Sequence, residues 1–429
     1  MNSVCKPLFL LFIFYFGGHQ AASAQLDNRI FKQQFNDLKQ RVYKSFETYN
    51  NVQTTDTATI VIDSLSIDTN ATPTIDQDFS KNYTEEYKSG FSFGNLFYCK
   101  NNEFGEPNNP GQTFFGNQLW FGGKHYFSQN ISSSLGCLLQ YDFGDEKFPS
   151  KFLPIFNLQY NTAQSRLILG SLLGNTNHNL IEPIYNYENT FTKPVEYGIQ
   201  YFKFSKFINY QTWLDWRQFA KVETSQQEKI SFGQTVLIQL LDTSKYPVYL
   251  SMPGSLLVYH QGGEALNVPQ KIQTNLNGNL GFRISDRNNS FRLESFIVFS
   301  NDVSPSINHA FKNGNAYLTN FTVFFREKLK LNQIKNHRLV ASYYKASEYY
   351  SPLGAPLFTS ELYSKPYLNA RNRELVMLRY QYEANFYFLN SQNIFIDFRV
   401  EPIYHIQDKL FAFSTGVYLK IQIGHNAIH

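Results

Sequence analysis

The chain has 429 residues, with 38 basic against 34 acidic side chains and a formal net charge of +4. No clustered basic face of the kind a nucleic-acid partner needs is visible, and three cysteines are too few for a disulfide-stapled scaffold. Mean hydropathy is −0.36, yet Phe (41) and Tyr (29) are abundant. After the N-terminus no stretch reaches the ~18 consecutive apolar residues of a transmembrane helix, which excludes helical spans.

The N-terminus opens with Lys6, the apolar run PLFLLFIFYFGG and then Ala22-Ser23-Ala24. This order predicts a secretory signal peptide over residues 1–24, cleaved after Ala24. Its loss removes Lys6, takes the formal charge from +4 to +3, and leaves Cys99 and Cys137. Residues 26–49 then place Leu26, Ile30, Phe31, Phe35, Leu38, Val42 and Phe46 at helical spacing, which predicts an amphipathic helix. Residues 50–86 are rich in Thr, Asp, Ser and Asn, with TATIVIDSLSI the one extended-looking run. Together 25–86 reads as a periplasmic segment, a plug or a docking element.

From about residue 87 the character changes to period-two alternation, which holds to the C-terminus. KIQTNLNGNLGFRI (271–284) sets Ile272, Leu276, Leu280, Phe282 and Ile284 on one face, and Lys271, Asn275, Asn277, Asn279 and Arg283 on the other. Sixteen strands are predicted: 87–100, 113–128, 132–144, 151–161, 165–173, 196–205, 207–219, 228–241, 246–260, 271–285, 289–300, 314–327, 336–347, 373–389, 392–404 and 409–424. Short links (QNI, NTA, SDR, NSQ) alternate with long ones, up to the segments 174–195 and 348–372. Short turns at one end and long loops at the other are the mark of an outer-membrane barrel. The predicted fold is therefore an all-β transmembrane antiparallel barrel of about sixteen strands over 87–429, with the lipid bilayer as its partner.

Closure is demanded by the bilayer, where each unpaired backbone group costs several kcal/mol. The apolar parity then meets lipid, Cys99 and Cys137 included. Trp120, Tyr126, Tyr160, Tyr197, Trp216, Tyr249, Tyr259 and Tyr343 are expected in interface girdles. The polar parity faces a wide interior. Its pore-lining residues are Asp215, Arg217, Lys271, Asn275, Asn277, Asn279, Arg283, Arg292, Glu294, Arg379, Glu383, Asp397, Arg399 and Glu401, with Arg166, Arg326 and Arg338 on the same side. Both charge signs occur, so strong ion selectivity is not predicted. The connection GNTNHNLIEPIYNYENTFTKPVE is too apolar for a solvated loop. His178, Glu182, Tyr185, Tyr187 and Glu188 are expected to fold inward as a constriction.

The run RLILGSLLGNTNHNLIEPIYNYENTFTKPVEYGIQYFKFSKFINYQTWLDWRQF (166–219) resembles predicted outer-membrane barrels of Bacteroidota, a largely uncharacterised, porin-like family. The shared order is a strand, a Gly-Asn-His-Leu-type loop with Glu-Pro, a Pro-Val-Glu start to the next strand, and a hairpin ending in a Trp-rich strand. The resemblance implies a barrel in the cell outer membrane and little biochemistry.

No GxSxG, HExxH, Walker loop or metal-type cysteine spacing occurs. The sequence therefore predicts no enzyme, no cofactor and no metal. His178 with Glu182 is the nearest approach to a catalytic pair. The activity expected from these features is passive diffusion of small polar solutes. The alternative is a non-conducting barrel serving as a subunit of an outer-membrane secretion, insertion or uptake complex.

Overall fold

The computed structural model describes residues 89–426, apart from 105–110, 206, 222–225, 242–245, 263–271, 287–289, 305–310, 330–332, 362–371 and 389–391. The expected signal peptide, the N-terminal segment 25–86 and Lys271 lie outside the described residues, as does the side chain of Arg326.

Sixteen strands follow one another in chain order: β1 (Gly90–Glu103), β2 (Gln112–Tyr126), β3 (Ile131–Asp142), β4 (Lys151–Asn161), β5 (Ser165–Ser171), β6 (Tyr197–Phe204), β7 (Ile208–Gln218), β8 (Glu228–Gln239), β9 (Val248–Gly262), β10 (Gln273–Asp286), β11 (Phe291–Asp302), β12 (Asn313–Leu329), β13 (Gln333–Ser347), β14 (Asn372–Phe388), β15 (Gln392–His405) and β16 (Leu410–Asn426). Each pairs antiparallel with its sequence neighbours, and β1 pairs with β16 from Gly90↔Asn426 to Glu103↔Phe413. The sheet closes, so no edge meets lipid. The phase of the connections also holds except at β15–β16, whose link at the long-loop end is as short as a turn: β1–β2, β3–β4, β5–β6 and β13–β14 are joined by long segments at that end, and β2–β3, β4–β5, β12–β13 and β14–β15 by short links at the other.

Burial inverts the rule of a soluble protein. On β10, Asn277 is 1% exposed and Leu280 57%, because the amides point into the barrel and the leucine points out. Phe91, Leu135, Phe152, Ile297 and Phe411 are among the outward-facing, exposed apolar side chains that form the lipid band. Cys99 and Cys137 carry no disulfide and sit on the outward parity, Cys137 covered by its neighbours.

The girdle expectation fails at Trp120 and Tyr259, which turn inward and are buried. Trp120 pairs across the sheet with Gly94, and its ring covers that glycine: a Cβ there would stand 2.1 Å from Trp120 Cζ2. Trp213 covers its own cross-strand partner, Gly233, at the same 2.1 Å. A glycine thus leaves a hole in the wall that a facing aromatic fills.

Candidate functional site

The described members of the predicted inward set all point into the barrel: Asp215, Arg217, Asn275, Asn277, Asn279, Arg283, Arg292, Glu294, Arg379, Glu383, Asp397, Arg399 and Glu401. What they meet there is protein. The connection between β5 and β6 leaves the wall after Ser171, makes a 3-10 turn over Asn175–His178 and a short helix α1 over Asn189–Thr192, and returns at Tyr197. It bonds to β1 through Lys100, to β2 and β3 through Gln118 and Gln140, to β7 through Gln211, and to β14 through Arg379. Only a loop inside the barrel can reach all of these walls. The β13–β14 connection turns inward as well. Tyr349 OH donates to Pro183 O at 3.0 Å, Ser351 Oγ to Ile184 O at 3.0 Å, and Asn186 N to Leu353 O at 2.7 Å. At Gly354 the two backbones pass so closely that a Cβ would lie 2.0 Å from Pro183 O, so glycine is required.

At the root of the first loop, His178 is fully buried. Its Nε2 lies 2.6 Å from Glu196 Oε2 and its Nδ1 2.9 Å from Gln211 Nε2, and the ring stacks on Trp213 at 3.7 Å. Glu196 also accepts from Tyr185 OH and from Asn175 N. The carboxylate expected beside His178 was Glu182; the structure puts Glu196 there instead, because the loop doubles back and sends Glu182 to the far wall. Next to this cluster Asp215 takes Lys193 at 2.8 Å and Arg217 at 3.2 Å.

At the loop's tip, Glu182 meets Arg379 at 3.0 Å, and Arg379 meets Glu401 at 2.8 Å. Glu188 takes Lys100 at 2.6 Å and Asn102 at 2.6 Å, and Lys100 also donates to Tyr187 OH. Arg399 closes on Asp397 at 2.5 Å and lies over the Tyr418 ring. Burial pushes the Glu182 carboxyl above its usual range, against the pull of Arg379. Burial alone would also raise Glu188 and Glu196. Lys100 beside the first and His178 beside the second hold those carboxyls below the usual range.

Unlike the root, the tip borders a cavity with two unlike walls. One wall is charged and polar, with Lys100, Glu182, Glu294, Arg338, Arg379 and Glu401; Ser342 and Thr322 lie beside them. The other is apolar, with Leu180, Phe296, Leu318, Leu357, Phe358 and Ile403. Sequence reasoning had no access to this apolar wall, because alternation assigns Phe296 and Leu318 to the polar side and reads them as exceptions. Among the described residues no cluster of His, Cys, Asp and Glu has the geometry to hold a metal ion.

A closed antiparallel barrel with an apolar outer face and a polar interior is a transmembrane barrel of the outer-membrane class, and the outer membrane is its location. The chain belongs to the Lipid A 3'-O-deacylase-type family, whose sequence profile matches residues 80–425. No curated protein matches it. Solved structures similar to it include the outer-membrane protein OprD of Pseudomonas aeruginosa, at 6% identity, 80% of this chain, 94% of that chain and a TM-score of 0.47. A loop-deleted OmpT of Vibrio cholerae is similar at 8% identity, 79% and 100% coverage and a TM-score of 0.42. An anion-selective porin from Comamonas acidovorans is similar at 12% identity, 79% and 100% coverage and a TM-score of 0.41.

Family membership corrects the expectation that the chain is not an enzyme, since the family is named for a deacylase. The motif search missed this for a physical reason. Each catalytic motif sought encodes one local turn or helix, and a site assembled from strands and loops far apart in sequence leaves no such motif.

Proposed function

We propose that this protein hydrolyses an acyl ester of a lipid A-type glycolipid, with the reaction centred on the lumenal cavity at the loop tip. The observation that carries the reading is the two-sided cavity: an apolar wall suits an acyl chain, and the charged wall beside it suits an ester and a phosphorylated sugar. Glu182 serves as general base, its raised carboxyl being closer to the working range for that task. Water gives a proton to Glu182 as its oxygen adds to the carbonyl carbon, and Arg379 faces the developing oxyanion. The tetrahedral adduct then expels the sugar oxygen, which takes the proton back from Glu182. One fatty acid and one free hydroxyl result. The root cluster is assigned to anchoring, because both nitrogens of His178 are engaged and the ring is sealed against Trp213.

The test is to incubate the purified protein in vesicles containing hexa-acylated lipid A and to read the lipid by mass spectrometry. Loss of one acyl chain with release of a free fatty acid is expected; intact lipid A overturns the reading. Passive diffusion of small polar solutes is the competing reading, supported by inward pairs of both signs such as Arg283 with Glu294 at 2.6 Å. Conductance in planar bilayers without acyl release would favour it.

A further inference from the structure

The barrel wall is uneven in height. β5 and β6 have 7 and 8 residues, whereas β4 and β7, which flank them, have 11 each. β4 pairs with β5 only from Asn157↔Gly170 to Asn161↔Arg166, so its residues 151–156 have no strand on that side. β7 pairs with β6 only from Asn209 to Asp215, leaving Trp216–Gln218 without a β6 partner. Both gaps open at the long-loop end, the side that faces outward by the usual asymmetry of such barrels. Along the strands the gap is roughly 20 Å deep on the β4 side and roughly 10 Å on the β7 side, and two missing strands leave about 14 Å between β4 and β7. The notch is therefore wider than an acyl chain and opens among outward-facing apolar side chains.

The β5–β6 loop fills it. Lys151 Nζ donates to Phe191 O and Thr192 O at 3.0 Å each, Tyr197 OH donates to Pro154 O at 2.8 Å, and Ser171 Oγ accepts from Phe156 N at 2.9 Å. These are mostly single side-chain contacts, in place of the ladders that join every other pair of strands. The outer rim of the notch is apolar, with Phe152, Phe156, Ile199 and Trp216 exposed. The filling segment turns its own Phe191 and Val195 inward onto Ile155 and Tyr187 in one apolar cluster, and Tyr187 also lines the lumenal cavity. This cluster meets the cavity at Tyr187, whose hydroxyl accepts from Lys100, while the apolar wall of the cavity belongs to a separate cluster beyond it.

We infer that the notch above β5 and β6 is a lateral portal through which the acyl chain of an outer-leaflet lipid passes from the membrane into the lumen, with the segment 189–197 as its door. The inference rests on the proposed hydrolase reading for its purpose and on the strand register for its place. The test uses the full chain in proteoliposomes with a phosphoglycolipid carrying a diazirine at the end of one acyl chain. After irradiation, adducts are mapped by mass spectrometry. Adducts on the inward residues Ile155 and Tyr187 are expected, rising several-fold in a Lys151→Ala, Tyr197→Phe variant whose door has lost three of its hydrogen bonds. Adducts confined to outward residues such as Phe152, Phe156 and Leu158 in the wild-type chain overturn the portal. Because this readout needs no turnover, it separates the two ideas. Inward adducts without deacylation would keep the portal and sink the hydrolase, and deacylation without inward adducts would do the reverse.

Discussion

The root and the tip of the β5–β6 loop are built from the same materials and do opposite things. At the root, Glu196 is ringed by His178, Tyr185 and Asn175, and both of its oxygens are engaged. At the tip, Glu182 and Glu401 share Arg379 beside open volume. A buried carboxylate with basic neighbours is therefore not by itself a sign of chemistry. Space beside it, with room for substrate, is what distinguishes a reacting group from a rivet.

The comparison can be broken most sharply at the tip. Glu182→Gln keeps the shape and removes the base, so acyl release should fall by about 10²–10⁴-fold, the usual worth of a positioned base. The urea midpoint should move far less than the rate; an unchanged rate would return Glu182 to a structural role. At the root the expected order reverses. Glu196→Ala strands His178, Tyr185 and Asn175, and loss of one partner from such a buried network costs ~3–5 kcal/mol. Urea unfolding in detergent micelles should show it.

A smaller effect tests the wall behind the root. Gly233→Ala puts a methyl where the Trp213 ring lies, 2.1 Å away, and overpacking of this kind costs ~1–3 kcal/mol. Displacement of Trp213 should also red-shift its emission. The smallest effect is acid sensitivity. Glu196 is held below the usual carboxylate range in the folded state. Its contribution to stability is thus full above the unfolded value of about 4.3 and is lost as pH falls from there through the folded value. Comparing urea midpoints at pH 7 and pH 3 should show a smaller pH difference in Glu196→Gln than in the wild-type chain.

Much of the wall was legible from alternation. In β10, Asn275, Asn277 and Asn279 declared one face and Leu280 and Phe282 the other, and closure then followed from the need to pair every backbone group in lipid. The connections added direction, because long and short segments keep one phase. Alternation also put Trp213 on the inward side with Asp215 and Arg217, but it could not show that Trp120, expected in a girdle, turns inward. Trp120 covers Gly94 and Trp213 covers Gly233, cross-strand pairings that need register before they can be seen. The candidate site was half legible. Glu182 and the inward residues Arg379 and Glu401 were all named, but their meeting joins positions about two hundred residues apart and depends on how the loop folds back. The same fold-back exchanged Glu196 for Glu182 as the partner of His178.

The interlocking of the two inward loops has a consequence for assembly. Tyr349 and Pro183 are 166 residues apart, and so is the seat of the first loop from the loop itself. Residues 172–196 emerge before the groups that hold Pro183, Ile184 and Asn186, namely Tyr349 OH, Ser351 Oγ and Leu353 O, which arrive only with the β13–β14 connection. Contacts of such long sequence separation form late, since the intervening chain must first be ordered. Interlocking of the two inward loops is thus a property of the finished barrel alone. A chain halted before residue 348 carries its first inward loop without the contacts that retain it.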